Sequence, residues 1–163
     1  MKKQNNKNII LLFVLIISLF LVVPTLAQAA SLYTSIRPGS YQNDSFIVDV
    51  FVSSDQAINA VSGSISFPED KLKIVSVNKE DSIFDFWIKE PSFGKEADRV
   101  NFAGIILDKK SSIGDGKIIS IVFKTKAKGI ANLYFSSGSV LADDGKGTEV
   151  LTETESNNIY IKK

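Results

Sequence analysis

The sequence predicts an all-β domain, an antiparallel sandwich or barrel, standing behind a short signal-peptide helix. Three observations carry this. From Leu32 onward, apolar residues recur at every second position, the period of a half-buried strand. Clusters of Gly, Pro, Ser and Asp punctuate these runs at short intervals. After the first block, no stretch of helix length repeats its apolar residues with a 3.6-residue period.

The first block is read as a targeting segment. Lys2, Lys3 and Lys7 form a basic start, and Ile9 to Val23 is a run of 15 residues in which only Ser18 is not apolar. That run is slightly short of the roughly 20 residues a spanning helix needs. Pro24 breaks it, and Ala27-Gln28-Ala29 is a small-x-small cleavage site. Residues 1–29 are therefore expected to be a secretory signal peptide, with an uncleaved anchor as the alternative. Residues 30–163 are expected to form one domain. With no cysteine to acylate, a lipoprotein is excluded, and no C-terminal anchor is expected.

The strands follow in order. A short one is expected at Leu32–Ile36. In Phe46–Ser53, Phe46, Val48, Val50 and Val52 share a face. In Ala60–Phe67, Val61, Gly63, Ile65 and Phe67 face inward and Ala60, Ser62, Ser64 and Ser66 face outward. Leu72 to Val77 is the next strand. In Ile83–Ile88, Phe84, Phe86 and Ile88 read as the core set, which sends Asp85 and Trp87 to the opposite face. Val100–Leu107, Lys117–Ala127, Ala131–Phe135 and Ile159–Ile161 complete the series. Pro91-Ser92 and Gly114-Asp115-Gly116 are read as breaks between strands. Val48, Val50, Ile65, Phe67, Phe102, Ile121, Phe123, Leu133 and Phe135 are the expected core.

Composition removes whole classes of chemistry. There is no His and no Cys. Imidazole bases, Ser-His-Asp and Cys-His nucleophile systems, thiolate zinc sites and disulfides are all excluded. Removing Lys2, Lys3 and Lys7 leaves 16 basic and 18 acidic residues, a net charge of −2, which argues against a polyanion-binding surface of the usual kind and against nucleic acid. Glycoside hydrolysis needs only two carboxylates, but no spacing singles out a pair among Asp85, Glu90, Glu96 and Asp108. They read as solvated charges, and the chain as not an enzyme.

Three further features invite a binding role. The loop Asp143-Asp144-Gly145-Lys146-Gly147-Thr148-Glu149 has the carboxylates and glycines of a calcium loop. However, Lys146 and Gly147 stand where oxygen ligands would fall. Asp143 and Asp144 are thus weak metal candidates, and a Gly-rich connection is the plainer reading. Trp87, the only Trp, reads either as a ring partly covered by a loop or as an anchor in a binding face. The row Ala60, Ser62, Ser64 and Ser66 reads as a flat sheet face, either solvated or open to close approach.

Taken in order, these segments resemble a cohesin domain. Ile58 to Val77 is similar to its third and fourth strands, joined by the Phe67-Pro68-Glu69-Asp70-Lys71-Leu72 turn. Phe46–Val52 resembles the strand before them. Gly116–Ala127, Gly129–Phe135 and Gly138–Thr148 resemble the strands and loop near the C-terminus. The resemblance spans about Ser31 to Ile161. It implies a nine-stranded β-sandwich of jelly-roll topology, with no catalysis and no cofactor of its own. It also implies recognition of a dockerin, a calcium-loaded helical module carried by extracellular proteins, across strands 8, 3, 6 and 5. The implied contact residues are Ala60, Ser62 and Ser64 on strand 3, and Asp85 and Trp87 on strand 5. To these are added Asn101, Ala103 and Ile105 on strand 6, and Asn132 and Tyr134 on strand 8. Type I cohesins carry Asn and Asp where Ala60 and Ser62 stand here, which argues against a type I dockerin and for a more apolar face. The expected location is secreted or at the cell surface, with the membrane met only through the signal peptide. Binding of a polysaccharide by a module of the same sandwich fold is the alternative function.

Overall fold

The computed structural model describes residues 29–93, 98–107 and 113–162. The expected signal peptide up to Gln28 and the candidate carboxylates Glu96 and Asp108 lie outside them.

Alternation of apolar side chains builds the sandwich. In β2 (Ser45–Ser54), Phe46, Val48, Val50 and Val52 are buried while Ile47, Phe51 and Ser53 turn outward. In β7 (Ile113–Thr125), Ile119, Ile121 and Phe123 match them across the ladder. These two strands form the middle of a five-stranded sheet. Its edges are β4 (Leu72–Asn78) on one side and β1 (Ala30–Ile36) followed by β9 (Leu151–Thr154) on the other. Only the β1–β9 pair in this sheet is parallel.

The second sheet has the order β10-β8-β3-β6-β5 and is antiparallel throughout. It comprises β3 (Ile58–Ser66), β5 (Phe86–Ser92), β6 (Arg99–Ile105), β8 (Gly129–Ala142) and β10 (Asn157–Ile161). Its inner face supplies Val61, Ile65, Val100, Phe102, Leu133 and Val140 to the common core. An aromatic seam ties the layers together: the ring of Phe123 stacks on Phe46 at 5.7 Å and meets Phe67 edge-on at 5.0 Å. The chain passes repeatedly from one sheet to the other, as expected of a jelly roll.

The sandwich is as the sequence predicts, with four local corrections. β8 runs for 14 residues, continuing past Phe135 through the small residues Ser136 to Ser139. A bulge there leaves Phe135 half-buried rather than in the core proper. β7 begins at Ile113 and includes Gly114-Asp115-Gly116, because pairing with β2 holds that segment extended. β9 brings the strands among the described residues to ten; its short, polar outward side gives little alternation to read. β5 starts later than expected and contains Pro91-Ser92, which an edge strand tolerates because one side of its backbone has no partner.

Candidate functional site

The outer face of the second sheet is built in rows. Register places Leu141, Ala60, Ile105 and Phe86 side by side across β8, β3, β6 and β5. The next row is Ser139, Ser62, Ala103 and Lys89, and the one after it Ser137, Ser64, Asn101 and Ser92. Beyond a bulge, Tyr134, Ser66 and Arg99 form the last. Among the described outward positions of β3, β6 and β8, Arg99 alone is charged, and it pairs with Asp98 at 3.0 Å.

Small side chains leave a shallow hollow of about 230 Å³ in this face, lined by Ala60, Ser62, Ile88, Ala103, Ser139 and Leu141. Around it Phe86, Ile88 and Leu107 are exposed for more than half their surface. Single exposed apolar residues are ordinary, but a cluster of them around an uncharged hollow is the mark of an interaction surface. Ser64, in the middle of the face, is buried and its Oγ has no hydrogen-bond partner. Further along, Asn132 donates to Asn158 Oδ1 at 2.8 Å, and Tyr134 stands half exposed beside it.

Seven of the ten residues expected to make contact lie in these rows, Ala60, Ser62, Ser64, Asn101, Ala103, Ile105 and Tyr134, and Asn132 lies on the same outer face beside β10. The two on the fifth strand do not. Trp87 pairs with Gly104, an inward position, and packs against the core. Its ring meets Phe84 edge-on at 4.8 Å, and Lys79 Nζ lies 5.6 Å from its centre. Phe86 and Ile88, expected in the core, are the exposed pair. The register slips because Phe84 lies before the strand begins, so its inward direction does not set the parity of β5. Asp85 is exposed at the sheet edge, where its Oδ2 accepts from the Leu107 amide at 2.7 Å. Turning Trp87 inward removes the one Trp from the aromatic strip that flat sugar stacking would use. The residues missed, Phe86, Ile88, Ser137, Ser139 and Leu141, left a partial signal: Ser-x-Ser-x-Leu alternates against the buried Val140 and Ala142.

The acidic loop satisfies itself. Asp144 Oδ2 accepts from the Thr148 hydroxyl and its Oδ1 from the Lys146 amide at 2.8 Å, which together hold its carboxyl below the usual range. Gly145 and Gly147 supply positive φ for the tight path. Burial pushes the Glu149 carboxyl up, but donation from the Ser139 hydroxyl and the Val140 and Leu151 amides outweighs it and holds the group low. Asp144 thus closes the loop on itself, and Glu149 ties it to β8 and β9. Among the described residues no group of three or more His, Cys, Asp or Glu is placed to hold a metal ion. Glu90, the remaining described carboxylate candidate, pairs with Lys79.

No protein-family model matches the sequence, and no curated protein matches it. Solved structures do. The sixth cohesin of scaffoldin B from Acetivibrio cellulolyticus, in complex with a dockerin, superposes with a TM-score of 0.62 at 16% identity, over 82% of this chain and 99% of that one. The chain has the cohesin fold. A cohesin module from a family 33 glycoside hydrolase of Clostridium perfringens gives 0.60 at 10% identity, covering 82% and 96%. A non-cellulosomal cohesin from the archaeon Archaeoglobus fulgidus gives 0.56 at 16%, covering 83% and 92%. At such identities the shared property is the cohesin fold itself, and what this chain recognises has to be argued from its own surface.

Proposed function

We propose that this domain is an exported, non-catalytic recognition module whose partner is a dockerin-type protein, received on the outer face of the second sheet. The observation that carries the reading is the uncharged floor of Ala60, Ser62, Ala103 and Ser139 with Phe86, Ile88 and Leu107 around it, on a cohesin fold. Small residues let a helix approach closely, and the exposed apolar rim supplies burial at the contact. The basic start, apolar run and Ala27-Gln28-Ala29 site support export to where such partners act. Calcium belongs to the partner, whose fold depends on it.

Titration against calcium-loaded dockerins encoded by the same genome tests this. Binding is expected, with loss on chelation and on Ala103→Arg, which plants a charge in the hollow. Failure of every such dockerin to bind the folded wild-type domain overturns the proposal.

A further inference from the structure

Net charge conceals a concentration of lysines at one end of the sandwich. On the outer face of the first sheet, Lys73 and Lys124 are direct cross-strand neighbours in the β4–β7 ladder. Lys126 follows the end of β7 and crosses towards the second sheet, its Nζ donating to the Glu69 carbonyl at 2.6 Å. Lys128 and Lys162 then face each other beyond the paired ends of β8 and β10, where Ile161 meets Gly129. The result is a basic band running from one outer face, over the end, to the other.

Two features separate this band from scattered surface charge. Like charges directly opposite in a ladder are destabilising, yet Lys73 and Lys124 have no described carboxylate in ion-pair contact. The same holds for Lys126, Lys128 and Lys162. Among the described residues the carboxylates of this end are Asp44, Glu69, Asp70 and Asp98; Asp70 is engaged by Lys71 and Asp98 by Arg99. Secondly, the band encloses a polar hollow of about 220 Å³ lined by Asp44, Thr125, Lys126, Lys128 and Lys162. Beside it, Tyr160 and Ile130 are cross-strand neighbours and both are exposed, Tyr160 by 68%.

We infer that this end binds an acidic polysaccharide, a chain of carboxylate-bearing sugars. Lysines on alternate strand positions lie about 6–7 Å apart, and directly opposed ones about 5 Å apart. That spacing suits the repeating charge of such a chain. The exposed Tyr160 ring offers a face for a sugar ring, for which an inorganic polyanion has no use. The concave, half-open hollow suits a single charged sugar better than a flat lipid surface. The inference is independent of the dockerin reading, since none of these residues lies in the hollow around Ala103.

Soluble polygalacturonate is the probe, measured by affinity electrophoresis and calorimetry on the folded domain. Binding is expected at low salt, weakening about tenfold or more as salt is raised to physiological strength. Replacing Lys73, Lys124, Lys128 and Lys162 together by Gln should reduce affinity by at least about tenfold, since four counter-charges are removed. Tyr160→Ala should also weaken it, and both variants should keep the wild-type melting midpoint or exceed it. Absence of wild-type binding overturns the inference. So does equal binding of polyphosphate, duplex DNA or anionic vesicles with no effect of Tyr160→Ala, which would mean bare charge attraction.

Discussion

At the residue scale, Trp87 and Phe86 exchange the roles that alternation alone assigns them. Trp87 closes the core beneath β5, and Phe86 faces the solvent. Trp87→Ala should therefore destabilise the domain by about 2–3 kcal/mol, somewhat below the range for a fully buried ring because Trp87 is only partly buried. Phe86→Ala should leave the denaturation midpoint almost unmoved and weaken partner binding instead. Denaturant titration of both variants checks this; a stable Trp87→Ala protein would place that ring outside the core.

Arg37 and Asp49 form the other residue-scale device, on the outer face of the first sheet. Arg37 Nη2 and Nε donate to the two oxygens of Asp49 at 2.6 and 2.9 Å, and the Ser120 hydroxyl donates to Oδ1 at 2.6 Å. Burial pushes the Asp49 carboxyl up, but the hydrogen bonds from Arg37 and Ser120 outweigh it and hold the group below its usual value. A carboxyl lowered by folding stabilises the protein above its unfolded pKa of about 4 and loses that contribution as pH falls through the folded value. Asp49→Asn should cost about 2 kcal/mol at neutral pH, less than a wholly buried pair because Arg37 keeps solvent contact. The gap between variant and wild type should narrow below about pH 4. Melting curves across the acid range measure it, and a pH-independent gap would show that the pair does not titrate with folding.

At the element scale, β5 and β6 are held together by a missing side chain. A Cβ on Gly104 would sit 2.0 Å from Cδ2 of Phe84, whose ring lies directly over that residue. Phe84 is itself buried and packed against Trp87, so it has little room to retreat. Gly104→Ala should therefore destabilise by at least the roughly 1–3 kcal/mol typical of overpacking. It should also loosen β5 locally, seen as faster amide exchange at β5 than at β2 or β7. Uniform exchange would mean that the edge strand does not depend on this contact. The long strand β8 makes the complementary point. Its middle, Ser136 to Ser139, is small, polar and glycine-containing, and it stays extended because β3 supplies a ladder partner.

At the scale of the whole molecule, the two proposed surfaces lie apart. The face around Ala103, whose hollow is lined by uncharged residues with Lys89 at its β5 edge, suits a protein partner, and the lysine band suits a charged polymer. Their separation gives a joint expectation: Ala103→Arg removes dockerin binding and leaves polygalacturonate binding intact, and the lysine variant does the reverse.

The sandwich, most of its strands and the sheet face on which eight of the ten candidate residues lie were legible in the sequence. Period-two alternation is a local property, and from Ala60 to Ser64 in β3 and Arg99 to Ile105 in β6 it runs without interruption through the β3–β6 ladder. The tertiary structure alone decided the rest. Which way Trp87 points depends on where β5 joins β6, and the length of β8 on the partner lying beside it. A net charge of −2 says nothing of where charges sit; pairing Lys73 with Lys124 and bringing Lys162 to Lys128 are consequences of register across distant segments. Alternation constrains one strand at a time, whereas edges, bulges and surface fields belong to the assembled sheets.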